Sequence, residues 1–557
     1  MNIKKIIADS ITDKFDGINY EDLIIESISE DKGDYCLPCF SLSKLLRKNP
    51  NQIAQELAAS VKCDTFIEKV EIVNGYLNFF LNKEILSEEI IEKFKPENMN
   101  LNDGNNKIVT IDYGSPNLAK YLHIGHLKTT IIGECLARLF TQCGYQVKRL
   151  NYIGDYGTPF GKIIGGMKMW GSIDDVKKRG NDALQEYYVK FNQEEVNNPE
   201  LSQYARDIFK KIEEKDSDIY PIYEMIIDIA LKDAKNMFDI LGVHFDDYRG
   251  EMYYSQFVPK VLDELREKKL LITSEDAQIV DLSDVNLPPA VILKNDGTSL
   301  YITRDISAVI SRFNEYKFDK MIYVTDIAQI LHFKQLIKII EKMGYEFYQL
   351  MEHVPYGRFS LPDGKISSRK GKQAILVDLL EFALNRAKDI IKDRKFEIEN
   401  PNDVANKVAR AVLNFSVLRV ERIKDCIFDT EKSFSFDGET APYMQYTYTR
   451  LESILRKYED VECKADYSCF NEEAFALVKA INDFTAYIRL ALEKRDASIM
   501  CKRIMDMCKT FNKMYTTCKI LDGNNNTSKA KVNLVRALRD CLKVGFYLIC
   551  IDTLQEM

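Results

Sequence analysis

The sequence predicts a multidomain α/β protein. A doubly wound parallel sheet carries an inserted helical domain. It lies between a small α+β amino-terminal domain and an all-α carboxy-terminal bundle. Three observations lead to this architecture. The 557 residues exceed what one hydrophobic core supports, since single cores stop growing near roughly 250–300 residues. Two strand–helix–strand patterns flank a long, mostly helical stretch. Beyond Leu376 apolar residues recur at helical spacing to the end of the chain.

Residues 1–95 form the first domain. An amphipathic helix is expected at its start, with Ile3, Ile7, Ile11 and Phe15 on one face, and a strand over Val70 to Leu81. The Asn-rich run Pro96 to Asn106 reads as a linker. The central domain spans 105–375. It opens on the β-branched run Ile108 to Asp112, expected to be a buried strand. A helix follows from His126, with Leu127, Ile131, Cys135 and Leu139 on one stripe and Ile132, Leu136 and Phe140 beside it. Gly144 ends that helix, and Val147 to Ile153 is the next strand. Strand, helix and strand make one half of a Rossmann-like, nucleotide-binding sheet. The other half has a helix over Arg304 to Phe313, a strand over Lys320 to Thr325, a helix over Ile330 to Met343 closed by Gly344, and a strand near Tyr348 to Val354. The mostly helical insertion between the halves runs over 171–289, from Gly171 to Pro289. A helical junction, 376–434, leads into the bundle, 435–557. Helical patterns there cover Val404 to Ile423, Tyr446 to Tyr458 and Val532 to Ile551, with a loop at Asp522 to Asn526.

Composition narrows the classes. Hydrophobic residues at 46% and charged residues at 29% describe a globular chain. With no long apolar run, a membrane span is not expected. The first residues lack the apolar stretch and cleavage site of a signal peptide. Thirteen scattered cysteines, an odd number, then point to reduced thiols in the cytoplasm. Cys36 and Cys39 form a lone CxxC without a second pair or a nearby histidine, so packing is expected there and no structural metal. A net charge of −8 opposes a broad basic nucleic-acid face, so any such contact must use local patches.

The motif that carries chemistry is Ser115-Pro116-Asn117-Leu118-Ala119-Lys120-Tyr121-Leu122-His123-Ile124-Gly125-His126. Two of only five histidines bracket Gly125 at a helix start, directly after a strand. Free N–H groups and the helix dipole favour an anion there. Gly125 leaves room for a base or ribose, and imidazole donors can follow charge growing on an α-phosphate. A pair of surface histidines at a turn is the plainer alternative. The second element is the basic loop Gly364 to Gly371, which contains Lys365, Arg369 and Lys370. It could close over a triphosphate, or be an ordinary solvated turn. Its occurrence after the last strand of the second half favours the former.

With these residues the chain resembles the class I aminoacyl-tRNA synthetases, and more narrowly the arginyl-tRNA synthetase family. His123-Ile124-Gly125-His126 matches the HIGH signature, and Lys365-Ile366-Ser367-Ser368-Arg369 is a departed KMSKS. The narrower resemblance rests on Ser115 to Lys120, Gly154-Asp155-Tyr156-Gly157-Thr158, Leu300 to Asp305 and Pro442 to Arg450. It extends to Gly33-Asp34-Tyr35 and Gly75 to Phe79 near the amino terminus.

The resemblance implies a two-step ligase. L-Arginine would be activated by ATP with Mg²⁺ and passed to the terminal adenosine of tRNA(Arg), releasing AMP and pyrophosphate. It implies His123, His126, Lys120 and Lys365 in catalysis, and Gly125, Ile366, Ser367, Ser368 and Lys370 at ATP. Asp112, Tyr301 and Asp305 would hold the arginine side chain, and Ser115, Asn117 and Gln329 its amino and carboxyl groups. That set suits a guanidinium, which is planar, always charged and rich in donors. Without the resemblance, Asp305 reads as a helix-start carboxylate and Tyr301 as core. Ser368 replaces the usual second lysine of KMSKS, and Lys120 is expected to supply that cation. Pro159 stands where glutamine is usual. The bundle is implied to read the anticodon and the amino-terminal module to touch the tRNA elbow, with Tyr443 and Arg450 as candidate contacts, Tyr446 and Tyr448 divided between contact and packing, and Arg47 and Lys48 divided between backbone contact and an ordinary solvated helix face. A monomer is expected, with no membrane partner. Two rivals stay open. One is a small-molecule adenylyl- or cytidylyltransferase sharing the histidine motif. The other is a non-catalytic tRNA-binding paralogue, which should have lost His123, His126 or the basic loop.

Overall fold

The structure, a computed structural model, describes residues 1–12, 15, 17–27, 32–274, 277–294, 299–362, 375–392 and 399–556. Lys365, Ile366, Ser367, Ser368 and Lys370 lie outside the described residues. Contacts divide the chain into two compact units, Met1–Met99 with Arg450–Thr485 and Asp506–Leu542, and Asn100–Thr449 with Ala486–Met505 and Lys543–Met557.

In the first unit, a four-stranded antiparallel sheet has the order Ile25–Glu26, Tyr35–Pro38, Tyr76–Leu81, Ile67–Val73. The single strand expected over Val70 to Leu81 is a hairpin. Asn74 and Gly75 both take positive φ, the two-residue turn that matches strand twist. The first helix is shorter than its apolar stripe, Ile3–Ser10, and Ile11 leaves it to bridge Val61. Cys36 and Cys39 are buried free thiols, and burial pushes Cys39 up to about 11. They pack, as expected. The helices Glu472–Asn482 and Lys83–Glu92 pack together in this unit, where Lys83 pairs with Glu472.

The second unit holds the central parallel sheet. Its strands are β1 (Ile108–Asp112), β2 (Gln146–Leu150), β3 (Lys320–Asp326) and β4 (Met351–Tyr356), in the spatial order β4-β3-β1-β2. All three pairings are parallel, with Asp112 level with Leu150 on one side and Tyr323 on the other. The chain leaves β1 toward β2 in one direction and later fills β3 and β4 in the other. The crevice between β1 and β3 is therefore the switch point where such sheets bind ligands.

Three helices frame it: α1 (Gly125–Gln142), α2 (Tyr301–Tyr316) and α3 (Ile330–Lys342). Both expected stripes of α1 are buried. Thr129, one turn into α1, donates its hydroxyl to Val324 O of β3 and accepts from Gly114 N–H, which fastens the helix start over the crevice. Ile306 and Val309 of α2, Met321 of β3, and Leu336 and Ile339 of α3 share one apolar core.

The insertion is helical from Ile173–Arg179 to Val258–Glu267, as expected. It then adds a three-stranded antiparallel sheet, Leu271–Ser274, Ala277–Val280 and Ala290–Leu293, which the helical reading missed because its strands are four residues long. Its helix Glu251–Ser255 docks at the end of β2, where Glu251 N–H donates to Ile153 O. A Cβ at Gly250 would lie 2.3 Å from that same carbonyl, so only glycine permits the approach.

Candidate active site

A cavity of about 320 Å³ opens at the carboxyl ends of β1 and β3. Asp112, Ser115, Tyr301, Asp305 and Gln329 all line it. Asp112 ends β1 and is buried. Its carboxylate accepts from Arg312 Nη1 at 2.6 Å and Ser115 Oγ at 3.0 Å. Burial raises the Asp112 carboxyl, and the guanidinium beside it opposes the rise. Asp305, one turn into α2, accepts from His332 Nε2 at 2.7 Å. Tyr301 is not core: it is 52% exposed, and its ring lies 4.9 Å from that of His332. Glu251 forms the third acidic corner and accepts from Arg304 Nε at 2.7 Å. Burial raises it as well, with Arg304 acting against the rise. The cavity thus presents three carboxylates, Asp112 met by two protein donors and Asp305 and Glu251 by one residue each, around a hollow walled by Tyr152, Tyr323 and Phe333.

The histidine turn follows Ser115 along the same loop. The rings of His123 and His126 sit 4.0 Å apart. Gly125 N–H donates to His123 Nδ1 at 3.0 Å, and His123 N–H donates to His126 Nδ1 at 3.1 Å. A Cβ on Gly125 would meet the His123 ring at 2.7 Å, so this glycine makes room for an imidazole, where a base or ribose was expected. Burial lowers both histidines, His126 to about 4, and Lys120 pushes His123 further down. At neutral pH they are uncharged hydrogen-bonding groups. Lys120 Nζ lies 5.9 Å from the Tyr188 ring. Ile375, the first described residue after the basic loop, bridges His123, and Leu376 N–H donates to Leu122 O at 2.8 Å.

The sequence profile for tRNA synthetases class I (R), catalytic domain, matches residues 89–430. The arginine–tRNA ligase of Halothermothrix orenii is 40% identical over 565 residues, covering 100% of both chains. The chain belongs to the arginyl-tRNA synthetase family. The DALR anticodon binding domain matches residues 444–557, and the arginyl tRNA synthetase N terminal domain matches 1–81. The arginine–tRNA ligase of Clostridium botulinum is 39% identical, with 96% of each chain covered. Among solved structures, Thermus thermophilus arginyl-tRNA synthetase superposes with a TM-score of 0.82 at 23% identity, covering 100% of both chains. The Plasmodium falciparum enzyme gives 0.81 at 23% identity, with 100% of this chain and 98% of that one covered. These likenesses speak to the fold.

Within this arginyl-tRNA synthetase fold some expected residues stand apart. Asn117 does not line the cavity. Its side-chain oxygen accepts from Ala119 N–H and shapes the turn. Arg450 donates to Asn512 and lies 4.8 Å from the Tyr515 ring. Tyr448 is buried against Phe546, the packing reading. Tyr443 is half-buried on the helix Ala441–Lys457. Lys48 pairs with Glu56 at 2.6 Å. Pro159 falls in the first turn of Thr158–Trp170, where its missing N–H needs no partner, which accounts for its tolerance. The sequence reading missed the rest of the cavity lining, Tyr152, Glu251, Arg312 and His332 among it. The Tyr152 hydroxyl is buried with no hydrogen-bond partner among the described residues. Its signal was available, since it follows β2 at the carboxyl edge of the sheet. Glu251 and His332 carried none.

Proposed function

We propose that this chain is an arginine–tRNA ligase, which activates L-arginine with ATP and transfers it to the 3′-terminal adenosine of tRNA(Arg), giving AMP and pyrophosphate. The observation that carries this reading is the acidic cavity at the switch point, lined by Asp112, Glu251 and Asp305 and followed along one loop by the histidine turn. Carboxylates and a tyrosine ring suit the planar guanidinium.

In this reading Asp305 and Tyr301 take the side chain, with Asp112 contributing the carboxylate face left by Arg312. Ser115, Gln329 and Asn117 orient the amino and carboxyl groups. The arginine carboxylate oxygen bonds to the α-phosphorus as the bond to the bridging oxygen breaks and pyrophosphate departs. Neutral His123 and His126 donate hydrogen bonds to the charge that grows there, and Lys120, with Lys365 and Lys370, provides the positive charge. Gly125, Ile366, Ser367 and Ser368 hold the nucleotide. A ribose hydroxyl of the tRNA end then attacks the activated carboxyl and displaces AMP. Mg²⁺ is read as the counter-ion that ATP brings. It would assist the activation step by offsetting phosphate charge.

Tyr443 and Arg450 are proposed as tRNA contacts, Arg450 after exchanging its partner Asn512 for RNA. We also take the protein to act as a cytoplasmic monomer. No helix among the described residues is long and apolar enough to cross a membrane.

The test is aminoacylation of bulk tRNA with each of twenty labelled amino acids, together with ATP–pyrophosphate exchange with and without tRNA. Charging with arginine alone is expected. Exchange indifferent to arginine would favour a small-molecule nucleotidyltransferase, and tRNA binding without charging would favour a paralogue.

A further inference from the structure

Arg304 lies behind the cavity and holds one of its acidic corners. It sits in the first turn of α2, one residue before Asp305, and is buried without lining the cavity itself. Its Nε donates to Glu251 Oε2 at 2.7 Å. Its Nη1 donates to Ser299 O at 3.2 Å and to Ser299 Oγ at 3.3 Å. Its guanidinium lies over the Tyr156 ring, 4.3 Å from the ring centre. That ring is fixed in turn, because the Tyr156 hydroxyl donates to Glu213 and the ring meets Phe209 edge-on at 4.8 Å. One planar cation is thus held on its edge by two residues and on its face by a third.

Glu251 is tied at both ends. Its main-chain N–H donates to Ile153 O, and its Oε2 takes Arg304. Among the described residues no donor meets Oε1. We propose that Arg304 is a positioning residue for arginine binding, which turns the Glu251 carboxylate so that Oε1 faces the cavity as an acceptor for the substrate guanidinium. The inference deepens the arginine reading and rests on it. Its chemistry requires arginine at 304. A lysine ammonium keeps the charge but is a point donor on a flexible stem, and cannot meet Glu251 and Ser299 while lying flat on Tyr156. Arg304 also acts on the acidity of the corner. Burial raises the Glu251 carboxyl, Arg304 opposes the rise and Asp305 adds to it. The titratable and charged groups facing Glu251 are Arg304 and Asp305 from α2, Tyr152, Asp155 and Tyr156 after β2, and Tyr223 from the helix Tyr220–Ile240. Removing the Arg304 charge lets the carboxyl rise further. Its protonated fraction then grows toward acid, and a protonated carboxyl holds a guanidinium less well.

The experiment reads arginine KM, ATP KM and kcat from tRNA-dependent ATP–pyrophosphate exchange. It compares the native protein with R304K, R304M, E251Q and the double variant R304K/E251Q. R304K is expected to raise the arginine KM by about ten-fold or more, with a smaller change in kcat and an ATP KM within about two-fold of native. E251Q raises the arginine KM by itself. In that background R304K should add less than about three-fold, because a residue acting through Glu251 has little further to lose. The ratio of the R304M arginine KM to the native one should grow as pH falls from 8 to 6, whereas a purely structural role leaves it flat. An arginine KM within about three-fold of native in R304K or in E251Q would overturn the proposal. So would the full R304K effect recurring in E251Q, a flat pH ratio, or an equal rise in the ATP KM. Should R304K not fold, a crystal of the native protein with L-arginine decides. Glu251 Oε1 is expected within about 3.2 Å of a guanidinium nitrogen of the ligand, with Oε2 still on Arg304. Arg304 swung away from Glu251 in that complex overturns the proposal. Native protein that binds no arginine at all would instead overturn the functional reading itself.

Discussion

Asp155 shows how a single buried carboxylate makes stability depend on pH. Its Oδ1 accepts from Met252 N–H at 2.8 Å, and burial lifts its carboxyl to about 7 from an ordinary 3.8. The folded state therefore binds this proton more tightly than the unfolded chain. The stability it contributes is full below pH 3.8 and is lost as pH rises through about 7. D155N keeps the acceptor and removes the loss. Its unfolding free energy should exceed the native one by a margin that grows from pH 5 to about pH 7 and then levels off, with an upper limit of about 4 kcal/mol. A margin that does not change with pH would contradict this. Lys120 carries the other expectation at this level. Burial lowers His123 and His126, so in the proposed reaction Lys120 is expected to supply positive charge that the imidazoles do not. K120A should slow single-turnover adenylate formation by about 10²-fold or more, the usual effect of deleting one transition-state charge partner, with little change in arginine binding. A rate within a few-fold of native would remove Lys120 from the site.

The elements explain why distant residues meet. The helix Glu251–Ser255 reaches the cavity only because Gly250 lets its backbone touch Ile153 O at the end of β2. G250A forces a methyl group against that carbonyl. We expect a loss of about 1–3 kcal/mol, as for overpacking elsewhere, together with a weaker arginine affinity as Glu251 is pushed out of the cavity. Unfolding and calorimetry on the same sample check both, and a stable variant with native affinity would show that the contact is dispensable. The crossed path of β1 to β2 and of β3 to β4 is the other decisive element, since it opens the crevice that Asp112 and Asp305 share.

For the molecule as a whole, an acidic protein is proposed to hold an anionic partner. A net charge of −8 leaves room only for local basic patches against tRNA. The logarithm of tRNA affinity should therefore fall with the logarithm of KCl concentration at a slope of about −3 to −5, equivalent to a handful of phosphates. A slope steeper than about −8 would mean a broad basic face that the composition does not suggest.

The order of strands and helices in the sheet and the histidine turn were legible from residue pattern, because periodicity, β-branching and glycine placement act over a few neighbouring residues, and a minority of the pocket-lining residues were legible from family motif. Asp112, Ser115, Tyr301, Asp305 and Gln329 were read in this way and share one cavity. Short signals were misjudged. The Asn74-Gly75 turn split one expected strand in two, and Ile11 left its helix for a bridge to Val61. Folding alone decided which partner each charge meets. Arg312 takes Asp112, Arg304 takes Glu251, and His332 takes Asp305, across separations that no local pattern encodes. Electrostatic pairing acts through space, and the chain's linear order carries no record of which distant groups will be brought within a few ångströms.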